Sequence, residues 1–167
     1  MDSPRPDWNE RLATLWGELD ALDPDEFRRR MRTLVAELPP EHPIALFELG
    51  AAYDSTGHPR EAIAFYEAAL GRGLDGLRRR RASIQMASSL RNLGEPQRAA
   101  EILQAERNAP SDELDQAVCA FLALAYADLG REREAASLAL HALASYLPRY
   151  NRSLARYAAA LLDPPER

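Results

Sequence analysis

The stretch that decides the fold is residues 43–76, which read PIALFELGAAYDSTGHPREAIAFYEAALGRGLDG. Its first half has helical spacing, and the packing face of that helix is formed by Leu46, Leu49, Gly50 and Tyr53. A turn at Gly57 leads to a second helix, whose packing face is formed by Ala62, Tyr66, Ala69 and Leu70. Because Gly50 and Ala62 are small, they predict the place where two antiparallel helices approach most closely. The stretch therefore predicts a helical hairpin.

The same turn recurs twice along the chain. Gly57, Gly94 and Gly130 are 37 residues apart (57 to 94) and 36 residues apart (94 to 130). Each glycine follows a Tyr or Leu by four residues and precedes an Ala by five. A fixed period in this range is typical of stacked helical hairpins. Glycine is expected at each turn because a left-handed helix terminus would strain a residue with a Cβ atom.

The composition of the chain favours an all-α fold. Ala, Leu, Glu and Arg dominate the 167 residues, and all four are good helix formers. No run alternates apolar and polar residues with β-branched enrichment, as a half-buried strand would require. The length suits a single domain, residues 1–167, with a sizeable core if the hairpins stack.

Charge and hydropathy argue against nucleic acid and membrane partners. All 21 basic residues are Arg, the 26 acidic residues are spread among them, and the formal net charge is -5, which does not suit binding to a phosphate backbone. No window approaches the length of apolar sequence that spans a membrane, and the N-terminus lacks a leader pattern. The single cysteine, Cys119, lies in an apolar stretch and is expected in the core. We expect a cytoplasmic location.

Two further helices are predicted before the hairpin of residues 43–76. Asp7 is expected to cap the first, whose apolar stripe is formed by Trp8, Leu12, Leu15, Trp16 and Leu19. Asp23 and Pro24 predict the start of the second, and a proline-rich connector over residues 39–43 follows it. Together they predict an N-terminal helical hairpin over residues 7–38, which either caps the stack or pairs through Trp8 and Trp16 with a second molecule.

At these offsets the residues resemble the tetratricopeptide repeat, whose helix pairs carry Leu-Gly and Tyr on the first helix, then Ala, an aromatic residue and Ala on the second. Residues 43–76 match nearly in full. Residues 77–110 keep Ala87, Leu90, Gly94 and Ala99. Residues 112–147 keep Leu122, Ala123, Tyr126, Gly130, Ala135 and Ala142. The run 79–94 is also similar to a bacterial tetratricopeptide family, a likeness that implies no particular function.

The resemblance implies a right-handed α-solenoid of antiparallel helix pairs, with three repeats at residues 43–76, 77–110 and 112–147. A last helix, expected over residues 148–162, would cap the third repeat with Leu154, Tyr157, Ala158 and Leu161 at helical spacing. The usual period of this repeat is about 34 residues. The longer spacing here therefore predicts extra residues in the connections, near residues 73–79 and 108–112.

In such a repeat, the first helix turns its remaining residues toward a concave groove. Five polar side chains of the middle repeat share that face: Arg81, Gln85, Ser88, Arg91 and Asn92. Neighbouring groove positions in the other repeats are Phe47, Glu48, Asp54 and Leu124. On one interpretation Arg81 and Arg91 hold a carboxylate, with Phe47 and Leu124 as apolar contacts. On the other, Glu48 and Asp54 neutralise those arginines and join the first repeat to the second.

We expect a scaffold that binds a protein or peptide, one with an acidic or carboxylate group, through the concave groove and without catalysis. The sequence marks out no buried acid and base, no metal-ligand cluster and no phosphate-binding loop, so neither a metal nor a cofactor is expected. The alternative is a self-assembling structural module, a homodimer formed through the terminal helices with no separate ligand.

Overall fold

The computed structural model describes residues 6–163, and in that range it holds helices joined by turns and short irregular segments, with no strand. The helices are α1 (Pro6–Gly17), α2 (Pro24–Val35), α3 (Pro43–Ser55), α4 (Pro59–Gly71), α5 (Gly76–Asn92), α6 (Pro96–Arg107), α7 (Asp115–Asp128), α8 (Glu132–Ala144) and α9 (Asn151–Ala160). The expected all-α class is confirmed. The chain forms two compact units: the first ends at Ala82 and the second begins at Ser83, within α5. The grouping into three repeats of one domain stays a prediction.

Local signals set the start of the first two helices. Asp23 caps α2 as expected, because its Oδ1 accepts hydrogen bonds from the backbone N–H groups of Asp25 at 2.9 Å and Glu26 at 3.3 Å. Asp7 differs from the expectation, since α1 already begins at Pro6. Asp7 lies in the first turn instead, where an acidic side chain is favoured by the positive end of the helix dipole.

The recurring glycines end the first helices of three pairs. Gly57, Gly94 and Gly130 have φ angles of 81°, 83° and 70°, which lie in the left-handed region. Each glycine N–H donates to the carbonyl three residues back at 3.0–3.1 Å, and the next N–H donates to the carbonyl five residues before it at 2.9 Å. These two bonds define the Schellman motif and satisfy carbonyls at the helix end. The predicted turn glycines are confirmed, and Gly73 ends α4 in the same way.

The tryptophan stripe of α1 packs inside its own chain. Trp8 is 2% exposed, and its indole N–H donates to the carbonyl oxygen of Leu34 at 3.0 Å. The ring centroids of Trp16 and Phe27 are 5.2 Å apart. The surrounding core includes Leu12, Leu15, Met31, Val35, Ala45 and Ala52. Because α2 and α3 cover the stripe, Trp8 keeps almost no surface for the contact with a second molecule that one prediction gave it.

The predicted close approach of α3 and α4 occurs at Gly50. A Cβ atom on this residue would lie 2.7 Å from Cδ1 and Cε1 of the Tyr66 ring and 3.3 Å from Cβ of Phe65. Tyr66 and Ala62 are fully buried, so a Cβ atom on Gly50 would have to displace a ring that the protein encloses. The absence of a side chain at Gly50 is what lets the Tyr66 ring pack against the backbone of α3.

In the second unit, α7 packs against α6 and α8, and α8 packs against α9. The Tyr126 hydroxyl of α7 donates to Gln104 Oε1 of α6 at 2.7 Å. Cys119 is buried, which confirms its expected place in the core. In α9, however, Tyr157 is not a packing residue as expected: it is 61% exposed, while Ala158 is buried.

The extra residues in the glycine spacing are used in two ways. Helix α5 has 17 residues and α3 has 13, so the insertion expected near residues 73–79 lengthens α5 by about one turn. Between α6 and α7, residues 108–114 form a connector without regular helix. The additional turn of α5 carries Arg78, which contacts Glu48 of α3.

Candidate binding surfaces

The five polar residues expected in the groove all lie on α5, but they differ in exposure. Arg81 and Asn92 are exposed, whereas Gln85, Ser88 and Arg91 are half-buried. The amide oxygen of Gln85 is buried and accepts no hydrogen bond from the described residues. Arg81 belongs to the first compact unit and the other four to the second, so their surroundings are described separately.

In the first unit, Arg81 lies over an aromatic ring. Its Cζ atom is 5.3 Å from the centroid of Phe47, a cation–π arrangement. Phe47 itself is fully buried, and its ring lies 6.2 Å from that of Tyr66 between centroids. The expectation that Phe47 offers an apolar contact to a ligand is therefore not met, because Arg81 and the core cover its ring. Phe47 therefore contacts the guanidinium of Arg81 through the face of its ring.

Glu48 does not face solvent, as a groove residue would. Its side chain is buried, Oε2 accepts a hydrogen bond from Trp16 Nε1 at 2.9 Å, and Oε1 accepts one from Arg78 Nε at 3.4 Å. Burial raises the pKa of the Glu48 carboxyl above its ordinary value, while the Trp16 hydrogen bond and the positive charges of Arg78 and Arg81 oppose that shift. Glu48 thus joins α1, α3 and the start of α5.

Asp54 contacts the second helix of its own hairpin. The hydroxyl of Tyr66 on α4 donates to Asp54 Oδ2 on α3 at 3.4 Å. Burial and the negative charge of Asp54 raise the pKa of Tyr66, so the hydroxyl stays protonated and can act as the donor. Asp54 therefore connects α3 to α4 within the first unit.

In the second unit, Arg91 forms an ion pair with a residue of α7. Its Nε contacts Asp128 Oδ2, and the two side chains are 26% and 40% exposed. The pair joins two helices and leaves part of each charged group open to solvent. Ser88 lies on the same side of α5, about one turn earlier.

Helix α7 leaves one apolar face uncovered. Leu124 is 44% exposed, and Ala120 and Ala127 are also exposed. The spacing of these residues, i, i+4 and i+7, places them on one face of the helix, which ends at Asp128. The opposite face, with Val118, Leu122 and Ala125, is buried. The sequence pattern predicts Leu124 in the groove but does not single out the two alanines beside it. A helix that is apolar on all sides indicates that some of its apolar residues stay exposed.

The described residues form neither a metal cluster nor a membrane span. Between residues 6 and 163, no cluster of three or more His, Cys, Asp and Glu side chains is arranged to hold a metal ion. In the same part of the chain, no helix combines the length and apolarity that crossing a membrane requires.

Comparison with known proteins agrees with the helix pairs and their turns. The family model described as "Tetratrico peptide repeat" matches residues 43–161. The chain is also similar to a solved structure of a Podosopora anserina putative kinesin light chain with nearly identical TPR-like repeats, at 18% identity and a TM-score of 0.66, covering 96% of this chain and 97% of that one. A solved variant of that same protein matches with the same identity and TM-score, covering 92% of this chain and 93% of the variant.

No curated protein matches the sequence significantly. The two structural likenesses are at low identity and speak for the fold, whereas the family model covers well over half of the sequence. The chain belongs to the tetratricopeptide repeat family.

Proposed function

We propose that the second unit binds an extended segment of another protein, without catalysis, along the α5–α7 surface. This surface consists of Arg91, Ala120, Leu124, Ala127 and Asp128. The observation that carries the proposal is the exposure of Leu124 on a helix whose opposite face is buried. Contiguous exposed apolar groups commonly mark interaction sites. Tetratricopeptide repeats are generally protein-interaction scaffolds, which supports the same function.

The ion pair at the end of this surface indicates the chemistry of the partner. Arg91 and Asp128 neutralise each other, but both stay partly exposed. A guanidinium has five N–H donors, so Arg91 can bind a second carboxylate without releasing Asp128. We therefore expect a partner segment with an apolar side chain that covers Leu124 and an acidic side chain placed to reach Arg91.

The test is capture of partners from a lysate of the source cells, identified by mass spectrometry, with wild type and Leu124→Asp. A buried charge opposite an apolar partner side chain is unfavourable, so we expect Leu124→Asp to weaken binding of a specific partner about tenfold or more. Arg91→Glu is expected to weaken the same partner, because it removes the donor and repels a carboxylate.

Leu77→Asp is the matched control. Leu77 is 43% exposed, nearly the same as Leu124, and lies in the first turn of α5, where an acidic residue is tolerated. It should capture the wild-type set of proteins. If Leu124→Asp and Arg91→Glu both capture that set unchanged, the α5–α7 surface is not the binding site.

A further inference from the structure

The last part of the second unit has a positive local charge because it lacks acidic residues. Between residues 135 and 162 the sequence contains Arg149, Arg152 and Arg156 but no Asp or Glu, although the whole chain carries a net charge of -5. All three arginines are exposed, and none of the salt bridges between the described residues includes them. This charge separation favours a negatively charged partner.

Exposed tyrosines are interleaved with these arginines. Tyr146 is 71% exposed, Tyr150 is 77% exposed and Tyr157 is 61% exposed. Tyr150 has a φ of 66°, a left-handed conformation that is rare for a bulky residue. Arg156 Cζ lies 5.2 Å from the centroid of the Tyr157 ring. Tyrosine and arginine are enriched in protein interfaces because each offers a large contact area together with hydrogen bonding.

A groove lies next to these residues, between α8 and α9. It has a volume of about 240 Å³ and is lined by His141, Ala144, Ser145, Asn151, Arg152 and Ala155. Small side chains leave this space open, and Arg152 and His141 are among the residues that line it. Both side chains can donate hydrogen bonds to a carboxylate, and Arg152 carries a positive charge.

A helix that only closes the last helix pair would need a polar outer face. Helix α1, at the other end of the sequence, has such a face, since its exposed residues include Asp7, Asn9, Glu10, Arg11 and Thr14. Helix α9 also exposes the polar residues Asn151, Arg152 and Arg156, but it exposes Tyr157 as well, and Leu143 of α8 and Leu162 after α9 are exposed near it. These large exposed aromatic and aliphatic side chains are a feature that the described side chains of α1 do not share.

We propose that a second surface, the α9 surface, binds an acidic peptide segment. It consists of Tyr146, Arg149, Tyr150, Arg152, Arg156 and Tyr157. Carboxylates of the peptide meet the arginines, and its apolar side chains cover the tyrosine rings. Three arginines in a chain of negative net charge would neutralise few phosphates, so nucleic acid is disfavoured. A symmetric dimer through this surface would bring like charges together, which disfavours a second copy.

The experiment is fluorescence anisotropy with a labelled synthetic peptide that alternates Glu and Leu, together with a second peptide that has Lys in place of Glu. We expect only the acidic peptide to bind, and more weakly at high salt. The Arg152→Glu, Arg156→Glu double variant should weaken binding about tenfold or more, and Tyr157→Ser about threefold. All three positions are exposed, and circular dichroism should show unchanged helicity.

Two controls separate this proposal from its rivals. Arg60→Glu, at an exposed position in the first turn of α4, makes the same charge reversal at one site instead of two and should bind within about twofold of wild type. If Arg91→Glu abolishes binding while the α9 variants do not, the peptide occupies the α5–α7 surface, and the α9 proposal fails while the proposed function stands.

Three other results would also overturn the α9 proposal. One is no binding of the acidic peptide at low salt. Another is binding of an oligodeoxythymidylate probe that exceeds binding of the peptide and is lost in the double variant. The third is a concentration-dependent dimer in light scattering that Tyr157→Ser abolishes, which would show that the surface is occupied by a second copy.

Discussion

A buried carboxylate on α3 connects this helix to α1 and α5. Glu48 accepts hydrogen bonds from Trp16 on α1 and Arg78 on α5. A buried carboxylate with a raised pKa is often a sign of a functional site. Here the carboxylate and these two donors belong to three packed helices, and a structural role explains the contact. Removing either donor would leave a desolvated charge with fewer partners, which is costly.

The pH dependence of stability should report on Glu48. Because burial raises its pKa, the folded chain holds the proton at pH values where the unfolded chain has released it. Stability from this group therefore falls as pH rises from the ordinary pKa of the carboxyl to its raised value. The measurement is urea unfolding of wild type and Glu48→Gln between about pH 4 and about pH 8. The free energy of unfolding of wild type, minus that of the variant, should fall as pH rises.

Glu134 provides a control of opposite sign. The hydrogen bond from Arg131 lowers the pKa of Glu134, so the same difference for Glu134→Gln should rise with pH over the acid range. A difference for Glu48→Gln that rises in the same way would mean that the positive charge of Arg78, rather than burial, governs this carboxyl.

At the scale of single residues, some predictions depend on local sequence and others on distant partners. The turn glycines, Gly57 among them, could be read from the sequence because the left-handed conformation is required by the adjacent residues. The positions of Phe47 and Glu48 could not. Helical spacing gives the face on which they lie, but Trp16, which bonds Glu48, and Arg81, which covers Phe47, are 32 and 34 residues away (48 minus 16, 81 minus 47).

At the scale of helices, the packing of α3 on α4 depends on the missing side chain of Gly50. Gly50→Ala would place a methyl group 2.7 Å from two atoms of the buried Tyr66 ring. Forcing extra volume into a packed core costs about 1 to 3 kcal/mol, even though alanine favours the helix. We expect a loss of stability of that size in urea unfolding.

Gly17→Ala is the matched control, since a Cβ atom at this position of α1 would meet nothing within 4 Å. It is expected to be neutral or slightly stabilising. Equal effects of the two substitutions would show that backbone propensity, rather than contact with Tyr66, determines the result.

Helices α7 and α9 show what their sequences leave open. Both have apolar residues on more than one face, which predicts a helix but does not say which face is covered. Packing against α6 and α8 buries Leu122 and leaves Leu124 exposed. In α9 it is Ala158 that packs into the core, and Tyr157 is exposed, although the sequence predicts it as a packing residue. Leu124 of the α5–α7 surface and Tyr157 of the α9 surface are exposed because other faces of their helices are the ones that pack.

At the scale of the whole molecule, the two compact units predict an uneven response to a core substitution. Leu122 is fully buried in the second unit, and Leu122→Ala should cost about 2 to 5 kcal/mol. In repeat proteins contacts are mainly between neighbours, so amide hydrogens of α6–α9 should lose more protection from exchange than those of α1–α4. Hydrogen exchange with mass spectrometry measures this difference.

Leu124→Ala, two residues further along the same helix, serves as the control. Because Leu124 is exposed, this change should alter stability by less than about 0.5 kcal/mol. An equal loss of protection in both units after Leu122→Ala would show that the chain unfolds as one cooperative body.

The sequence by itself determined the helix pairs, their turns and the family of this protein. Those features depend on local rules, namely apolar spacing, proline and aspartate at helix starts, and glycine at helix ends. Only the tertiary structure decided which side chains are covered. Phe47 and Glu48 are buried, Arg91 pairs with Asp128, and Tyr157 stays exposed. Exposure depends on contacts between residues far apart in the sequence, which helical periodicity does not encode.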